Sequence, residues 1–259
     1  MQLHDFLQDL ARGAGDILRD RYHTAKTWRT KTDRGDLVTE VDELAEQYIV
    51  KRISAEFPQD HILSEECGAV GGDGERTWII DPIDGTRNYA IGIPFFCVSI
   101  GVASGGVVQA GAIYDPLHDE MFVAGRGEGA WLNAEPIVVS ADDTLEDALV
   151  AVSWVRLKVD GSRYIRLMDE LSRETSYFRR LGSAALMLAY VACGRFHCFV
   201  QGGLNPWDVA ASLVLIEEAG GVVTDFHGRP IDIRNKNVEI LAANPHIHSV
   251  LVEKLTGKR

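Results

Sequence analysis

Asp81-Pro82-Ile83-Asp84-Gly85-Thr86 is the segment of this chain best equipped for chemistry. Two carboxylates stand three positions apart, with a proline between them and a Gly-Thr pair behind. Hard divalent cations take oxygen ligands, and Mg²⁺ is commonly held by one or two carboxylates together with water and a substrate phosphate. Pro82 fixes its own φ and lacks a donor, so a turn is expected after the apolar run Trp78-Ile79-Ile80. Such a turn brings Asp81, Asp84 and the carbonyl of Ile83 towards one point. Gly85 and Thr86 suit the opening of a helix, where free N–H groups attract an anion. A metal cradle beside a phosphate cradle is the equipment of metal-assisted phosphate hydrolysis. On its own the hexapeptide is equally a polar turn, since Asp, Gly and Thr are common turn residues.

Further acids stand at the ends of expected elements: Asp42, Glu65-Glu66 and Asp208. Asp208 follows Trp207 and opens the apolar run Val209-Ala210-Ala211. An acid in a first helical turn needs no explanation beyond the helix dipole. Together with the hexapeptide, however, these acids have the composition of a site for several Mg²⁺ ions. No Cys or Ser nucleophile is required by that chemistry, and Ser64 and Ser183 are read as structural or substrate-contact residues.

The elements that must position these groups can be traced by periodicity. Leu3, Phe6, Leu7, Leu10, Ala14, Ile17 and Leu18 recur at helical spacing, and a second helix is expected over 40–56. Between them lies the polar loop 31–36. Ile62–Ser64 reads as a short strand, and the Gly-rich stretch 67–76 as a mobile connection. Short strands at 97–103, 107–114, 120–124 and 130–132 suggest an antiparallel meander. Beyond Ser140 the texture alternates: strands at 149–152, 198–200 and 238–242, and helices at 163–171, 184–193, 209–219 and 247–255. The organisation is α+β followed by α/β, with an N-terminal part, 1–143, carrying most candidate ligands. A C-terminal part, 144–259, carries the Trp-Asp motif and substrate-side loops.

The chain has 259 residues, 46% of them hydrophobic and 25% charged, which is the balance of a globular protein. Its formal charge of −12 disfavours direct nucleic-acid binding. Bound divalent cations would reverse that field locally for an anionic substrate. Four cysteines form no C-x-x-C pair, which favours a reducing, cytoplasmic compartment. The N-terminus does not read as a signal peptide, and no apolar stretch is long enough to span a membrane. His246 and His248 read as surface residues, Arg179-Arg180 as a solvated pair, and Trp131 and Trp154 as core or interface aromatics. Gly71-Gly72-Asp73-Gly74 lacks the lysine of a P-loop.

The motifs Trp78–Thr86 and Trp207-Asp208-Val209-Ala210-Ala211, in that order, resemble those of the inositol monophosphatase family, Mg²⁺-dependent and lithium-sensitive phosphatases. Asp36-Leu37-Val38-Thr39 with Asp42, Ser64-Glu65-Glu66 and Gly182-Ser183-Ala184-Ala185 extend the match. The resemblance implies a layered αβαβα sandwich, a homodimer and a small phosphorylated substrate. It implies that Glu65, Asp81 and the Ile83 carbonyl hold one Mg²⁺, that Asp81, Asp84 and Asp208 hold a second, and that Glu65 shares a weaker third through water. Thr86 and Asp42 would orient and deprotonate the attacking water. Gly85 and Thr86 would face the phosphate, Lys31 would lie on a nearby loop, and Gly182, Ser183 and Ala184 would line the alcohol side. The family often has a glutamate six residues before the Trp-Asp pair; this chain has Gln201 there, which keeps an acceptor and loses the charge. The substrate expected first is myo-inositol 1-phosphate. Histidinol phosphate, fructose 1,6-bisphosphate and 3′-phosphoadenosine 5′-phosphate are rivals, as is a role as a protein-binding accessory factor of transcription or ribosome assembly.

Overall fold

The computed structural model describes residues 3–24, 27–30, 37–153 and 161–257. Lys31, the loop around it and Trp154 lie outside the described residues. In chain order the first elements are α1 (Leu3–Arg21), β1 (Trp28–Thr30), β2 (Leu37–Thr39), α2 (Glu40–Glu56), β3 (His61–Ser64), β4 (Gly68–Gly71), β5 (Arg76–Asp84) and α3 (Thr86–Ile91). A meander follows: β6 (Cys97–Ser104), β7 (Val107–Asp115), β8 (Glu120–Gly125), β9 (Gly129–Leu132) and β10 (Glu135–Pro136). The remainder comprises β11 (Val150–Val152), α4 (Gly161–Glu174), β12 (Phe178–Arg179), α5 (Ala184–Ala192), β13 (Cys198–Leu204), α6 (Pro206–Glu218), β14 (Val222–Thr224), β15 (Val238–Ala243) and α7 (Pro245–Thr256).

These elements stack in five layers. An eight-stranded sheet has the order β10-β9-β8-β7-β6-β5-β3-β4, and a five-stranded sheet the order β12-β11-β13-β15-β14. Alternation along β5 assigns its two faces: Trp78, Ile80 and Ile83 pack with α1 and α2, whereas Ile79 packs with α5 and α6. The same α5–α6 layer meets Ala151, Phe199, Ile240 and Ala242 of the second sheet, and α4 and α7 cover its far face. The order is therefore helix pair, sheet, helix pair, sheet, helix pair, the expected αβαβα sandwich. The central core contains residues from both sides of position 143.

Glycine sets the spacing of the middle layers. A Cβ on Gly101 would stand 2.8 Å from the Ala210 Cβ, and one on Gly111 would stand 2.7 Å from the Ala211 backbone. The absence of those two Cβ atoms lets the start of α6 lie directly on β6 and β7, which carries Asp208 to the end of β5.

Several expectations are corrected. The chain does not turn at Pro82; β5 runs on to Asp84, with its register against β6 shifted between Asp81 and Asp84. A proline with no N–H is tolerated where the ladder is interrupted in this way. The Gly-rich stretch 67–76 is not a loose connection, because β4 pairs antiparallel with β3 and the N–H groups of Gly72 and Gly74 bond the carbonyls of Asp60 and Gln59. Side chains at Gly71, Gly72 and Gly74 would strike those carbonyls at 2.4–2.6 Å, so the glycines serve close packing. Gln201 and the residues after it belong to β13, which is irregular between Gln201 and Leu204. His246 is exposed as expected, but His248 is buried and its Nε2 lies 2.9 Å from the Thr224 hydroxyl. Cys97 and Cys198 are buried, Cys193 is half-buried, Cys67 is exposed, and all four are free. Among the described residues no helix is long and apolar enough to cross a membrane.

Candidate active site

The site forms where β3, β5, α2 and α6 end beside one another. Thr39 begins α2 with a capping box: its hydroxyl lies 3.2 Å from the Val41 N–H, and Asp42 Oδ2 accepts from the Thr39 N–H and hydroxyl at 2.8 and 2.6 Å. The box turns Asp42 Oδ1 outwards, 3.0 Å from the Thr86 hydroxyl. That hydroxyl also lies 2.9 Å from the Ile83 carbonyl. Its single proton is thus placed between a carboxylate and a carbonyl.

Asp81 projects to the Ile79 side of the sheet, and its Oδ1 accepts from the Ile83 N–H at 3.0 Å across the irregular stretch of β5. Asp84 Oδ2 accepts from the Ser183 hydroxyl and the Ala185 N–H, both at 2.6 Å. The second contact comes from the first turn of α5, so a helix N-terminus is aimed at this carboxylate. Asp208 is the third residue of α6, and its Oδ2 accepts from the Asn205 N–H at 2.7 Å. One oxygen from each of Asp81, Asp84 and Asp208 lies within 4.8 Å of the others.

Glu65 follows β3, and its N–H bonds the Ile80 carbonyl at 3.2 Å, which sets it beside Asp81. Burial pushes the Asp81 carboxyl well above its ordinary value, and the charges of Glu65, Asp84, Asp208 and Asp42 push it further. Burial likewise raises Asp42 to about 6, with Glu65 adding to the rise and hydrogen bonds from Thr39 and Thr86 opposing it. Asp84 is raised to about 6 by burial, against the bonds from Ser183 and the start of α5. Carboxylates crowded and desolvated in this way repel one another, and a cation relieves the repulsion. Among the described residues the group of side chains that could hold an ion consists of three carboxylates, Asp81, Asp84 and Asp208, with the Ile83 carbonyl beside them. That donor set fits a hard divalent ion such as Mg²⁺.

The whole-chain comparison decides the family. The model of the inositol monophosphatase family matches residues 2–258. The chain belongs to the inositol monophosphatase family. It is 39% identical over 254 residues to inositol monophosphatase 1 of Solanum lycopersicum, covering 95% of this chain and 92% of that protein. It is 38% identical over 248 residues to Nus factor SuhB of Escherichia coli strain K12, covering 95% and 92% of the two chains. The solved structure of extragenic suppressor protein suhB from Bartonella henselae superposes with a TM-score of 0.89 at 38% identity, covering 97% of each chain. As an inositol monophosphatase family member the chain is a phosphatase hydrolase, of a family that is generally Mg²⁺-dependent and acts on small phosphorylated substrates.

The structure brings Asp42, Asp81, Ile83, Asp84, Thr86 and Asp208 into one cluster, with Glu65 at its side. Gly85 has φ +101 and precedes the short α3; a Cβ there would stand 3.1 Å from the Phe95 carbonyl. Ser183 is fully buried with its hydroxyl committed to Asp84, flanked by exposed Gly182 and buried Ala184. Gln201 Oε1 is buried and has no hydrogen-bond partner among the described residues. Two supporting residues escaped sequence reasoning. Asn88 of α3 donates to the carbonyls of Phe95 and Leu181 at 2.7 and 2.6 Å, tying the hexapeptide to the Gly182–Ser183 turn. Glu46 lies one turn after Asp42 on the same face of α2.

Proposed function

We propose that this chain hydrolyses the phosphate ester of a small polyol, myo-inositol 1-phosphate first, by attack of water without a covalent intermediate. The observation that carries this reading is the convergence of Asp81, Asp84 and Asp208 from a strand and a helix that are distant in sequence. Glu65, Asp81 and the Ile83 carbonyl would hold one Mg²⁺, and Asp81, Asp84 and Asp208 a second, with a weaker third ion near Glu65. When bound, such ions lower the pKa of a water nucleophile and neutralise charge on the phosphoryl and leaving oxygens.

The chain's own groups supply positioning and proton transfer. Thr86, 3.0 Å from Asp42, orients the attacking water, and Asp42 takes up the proton through the threonine hydroxyl. The N–H groups of Gly85 and Thr86 face the phosphate, and Lys31 adds a positive charge from its loop. Gly182, Ser183 and Ala184 border the alcohol, with Ser183 acting through Asp84. Gln201, which is partly exposed, meets a substrate hydroxyl through its amide. A homodimer is the assembly that goes with this function.

The test is phosphate release with and without Mg²⁺ from myo-inositol 1-phosphate, histidinol phosphate, fructose 1,6-bisphosphate and 3′-phosphoadenosine 5′-phosphate. Inositol phosphate is expected to give the highest kcat/KM. No Mg²⁺-dependent release from any of the four would refute the assignment. The resemblance to a Nus factor supports a second reading, a protein-binding role in transcription, which needs none of the carboxylates ionised or paired with metal.

A further inference from the structure

Glu65 sits in a tight reversal. Ser64 pairs with Gly68 at the end of the β3–β4 hairpin, so Glu65, Glu66 and Cys67 form its loop, closed by Gly68 at φ +73. A loop of this kind leaves backbone N–H groups without partners in the ladder. Here they converge on one atom. Oε1 of Glu46 accepts from the Ser64 hydroxyl, from the Glu66 N–H at 3.1 Å and from the Cys67 N–H at 3.0 Å. Glu46 is itself buried, at 6% exposure, on the inner face of α2.

Four residues earlier the same helix face presents Asp42 to Thr86. α2 therefore grips both sides of the cluster, the hexapeptide through Asp42 and the Glu65 loop through Glu46. We propose that Glu46 is a positioning residue for the divalent cation: by collecting the three donors around Glu65 it fixes where the Glu65 carboxylate points. This inference rests on the proposed role of Glu65 as a metal ligand. It assigns Glu46 no contact with substrate or cation. Groups that orient metal ligands typically change metal affinity or activity by about 10–100-fold when removed.

The test uses Mg²⁺ alone as the probe, titrated calorimetrically into wild type, Glu46→Gln, Glu46→Ala and Ser64→Ala, with Mg²⁺ activation of turnover measured beside it. Glutamine keeps the oxygen that receives all three bonds, so Glu46→Gln should hold affinity within about threefold of wild type. Glu46→Ala should weaken Mg²⁺ binding by about tenfold or more and raise the activating concentration equally. Its kcat at saturating Mg²⁺ should stay within a few-fold of wild type. A merely structural role would lower stability in Glu46→Ala without that split between kcat and Mg²⁺ requirement. Ser64→Ala removes one donor, should shift affinity in the same direction by a smaller factor, and carries the test if Glu46→Ala does not fold. Wild-type affinity in Glu46→Ala, or a loss in Glu46→Gln as large as in Glu46→Ala, overturns the inference while leaving the proposed function standing. Failure of wild type itself to bind Mg²⁺ overturns both.

Discussion

Replacing Asp84 by asparagine should make the cation-free protein more stable while it abolishes turnover. Asp84 Oδ2 accepts from the Ser183 hydroxyl and the Ala185 N–H, with the Cys97 thiol 3.9 Å away, and the amide carbonyl of asparagine can accept from the same groups. The amide NH₂ then faces Asp81 and Asp208, replacing a like charge with a donor. Folding raises the Asp84 carboxyl from 3.8 to about 6. A raised carboxyl carries no penalty below its unfolded value; the penalty grows between pH 3.8 and about 6 and is constant above. At 1.36 kcal/mol per pKa unit the full cost near neutrality is about 3 kcal/mol. The cluster shares its repulsion, so Asp84→Asn should gain about 1–3 kcal/mol, or about 2–10 °C in Tm for a chain of this size. The assay is thermal or urea unfolding at pH 7.5 with a chelator present, repeated at pH 4, where the gain should shrink towards zero. Mg²⁺ at about a thousand times Kd should reverse the order, because the wild type alone keeps the complete site and gains about 4.1 kcal/mol there. A chelated Asp84→Asn protein that melts at or below wild type at pH 7.5 would refute the electrostatic account of this site.

Asp81→Asn and Asp208→Asn should each lower Mg²⁺-dependent kcat by at least about a hundredfold with an unchanged circular dichroism spectrum, and activity retained in both would sink the ligand assignment. Gln201→Glu should raise kcat/KM for myo-inositol 1-phosphate relative to histidinol phosphate, by up to about tenfold for one charge-assisted bond; an unchanged ratio removes the position from specificity. Thr224 donates to the Asp225 carbonyl at 2.8 Å, so the buried His248 Nε2 is assigned as the donor to Thr224. Burial lowers its pKa below 6.5, and stability should therefore fall as pH drops below 6.5, when the unfolded chain takes up a proton that the native state refuses. His248→Gln should flatten urea midpoints measured between pH 7.5 and 5; an unaltered slope contradicts the assignment.

Much of the cluster was legible because its parts are local. Asp81, Ile83, Asp84 and Thr86 lie within six residues, and Trp207-Asp208 announces a helix start. Glu46 was not legible, since its partners are a side chain and two N–H groups 18–21 residues away whose need arises only once the loop has closed. The β3–β4 hairpin was misread because glycine signals freedom in a sequence, whereas Gly71, Gly72 and Gly74 are there for close contact. His248 looked solvated from its position near the C-terminus, and nothing local indicated that α7 turns it towards Thr224. Strands of two or three residues, such as β10, β12 and β14, exist through their neighbours and carry too little pattern of their own.

The contact of α6 with Gly101 and Gly111 has a consequence for how this enzyme can change. A single methyl group at either position would push the helix outwards and carry Asp208 away from Asp81, although neither glycine touches the chemistry. The tolerance of the phosphate-cleaving half is thus set by tenths of an ångström deep in the first sheet. Gln201 belongs to the irregular β13 of the second sheet and takes no part in that glycine contact. If Gln201 contacts the alcohol as proposed, substitutions on the second sheet can change which alcohol is accepted without disturbing the packing of α6 on Gly101 and Gly111.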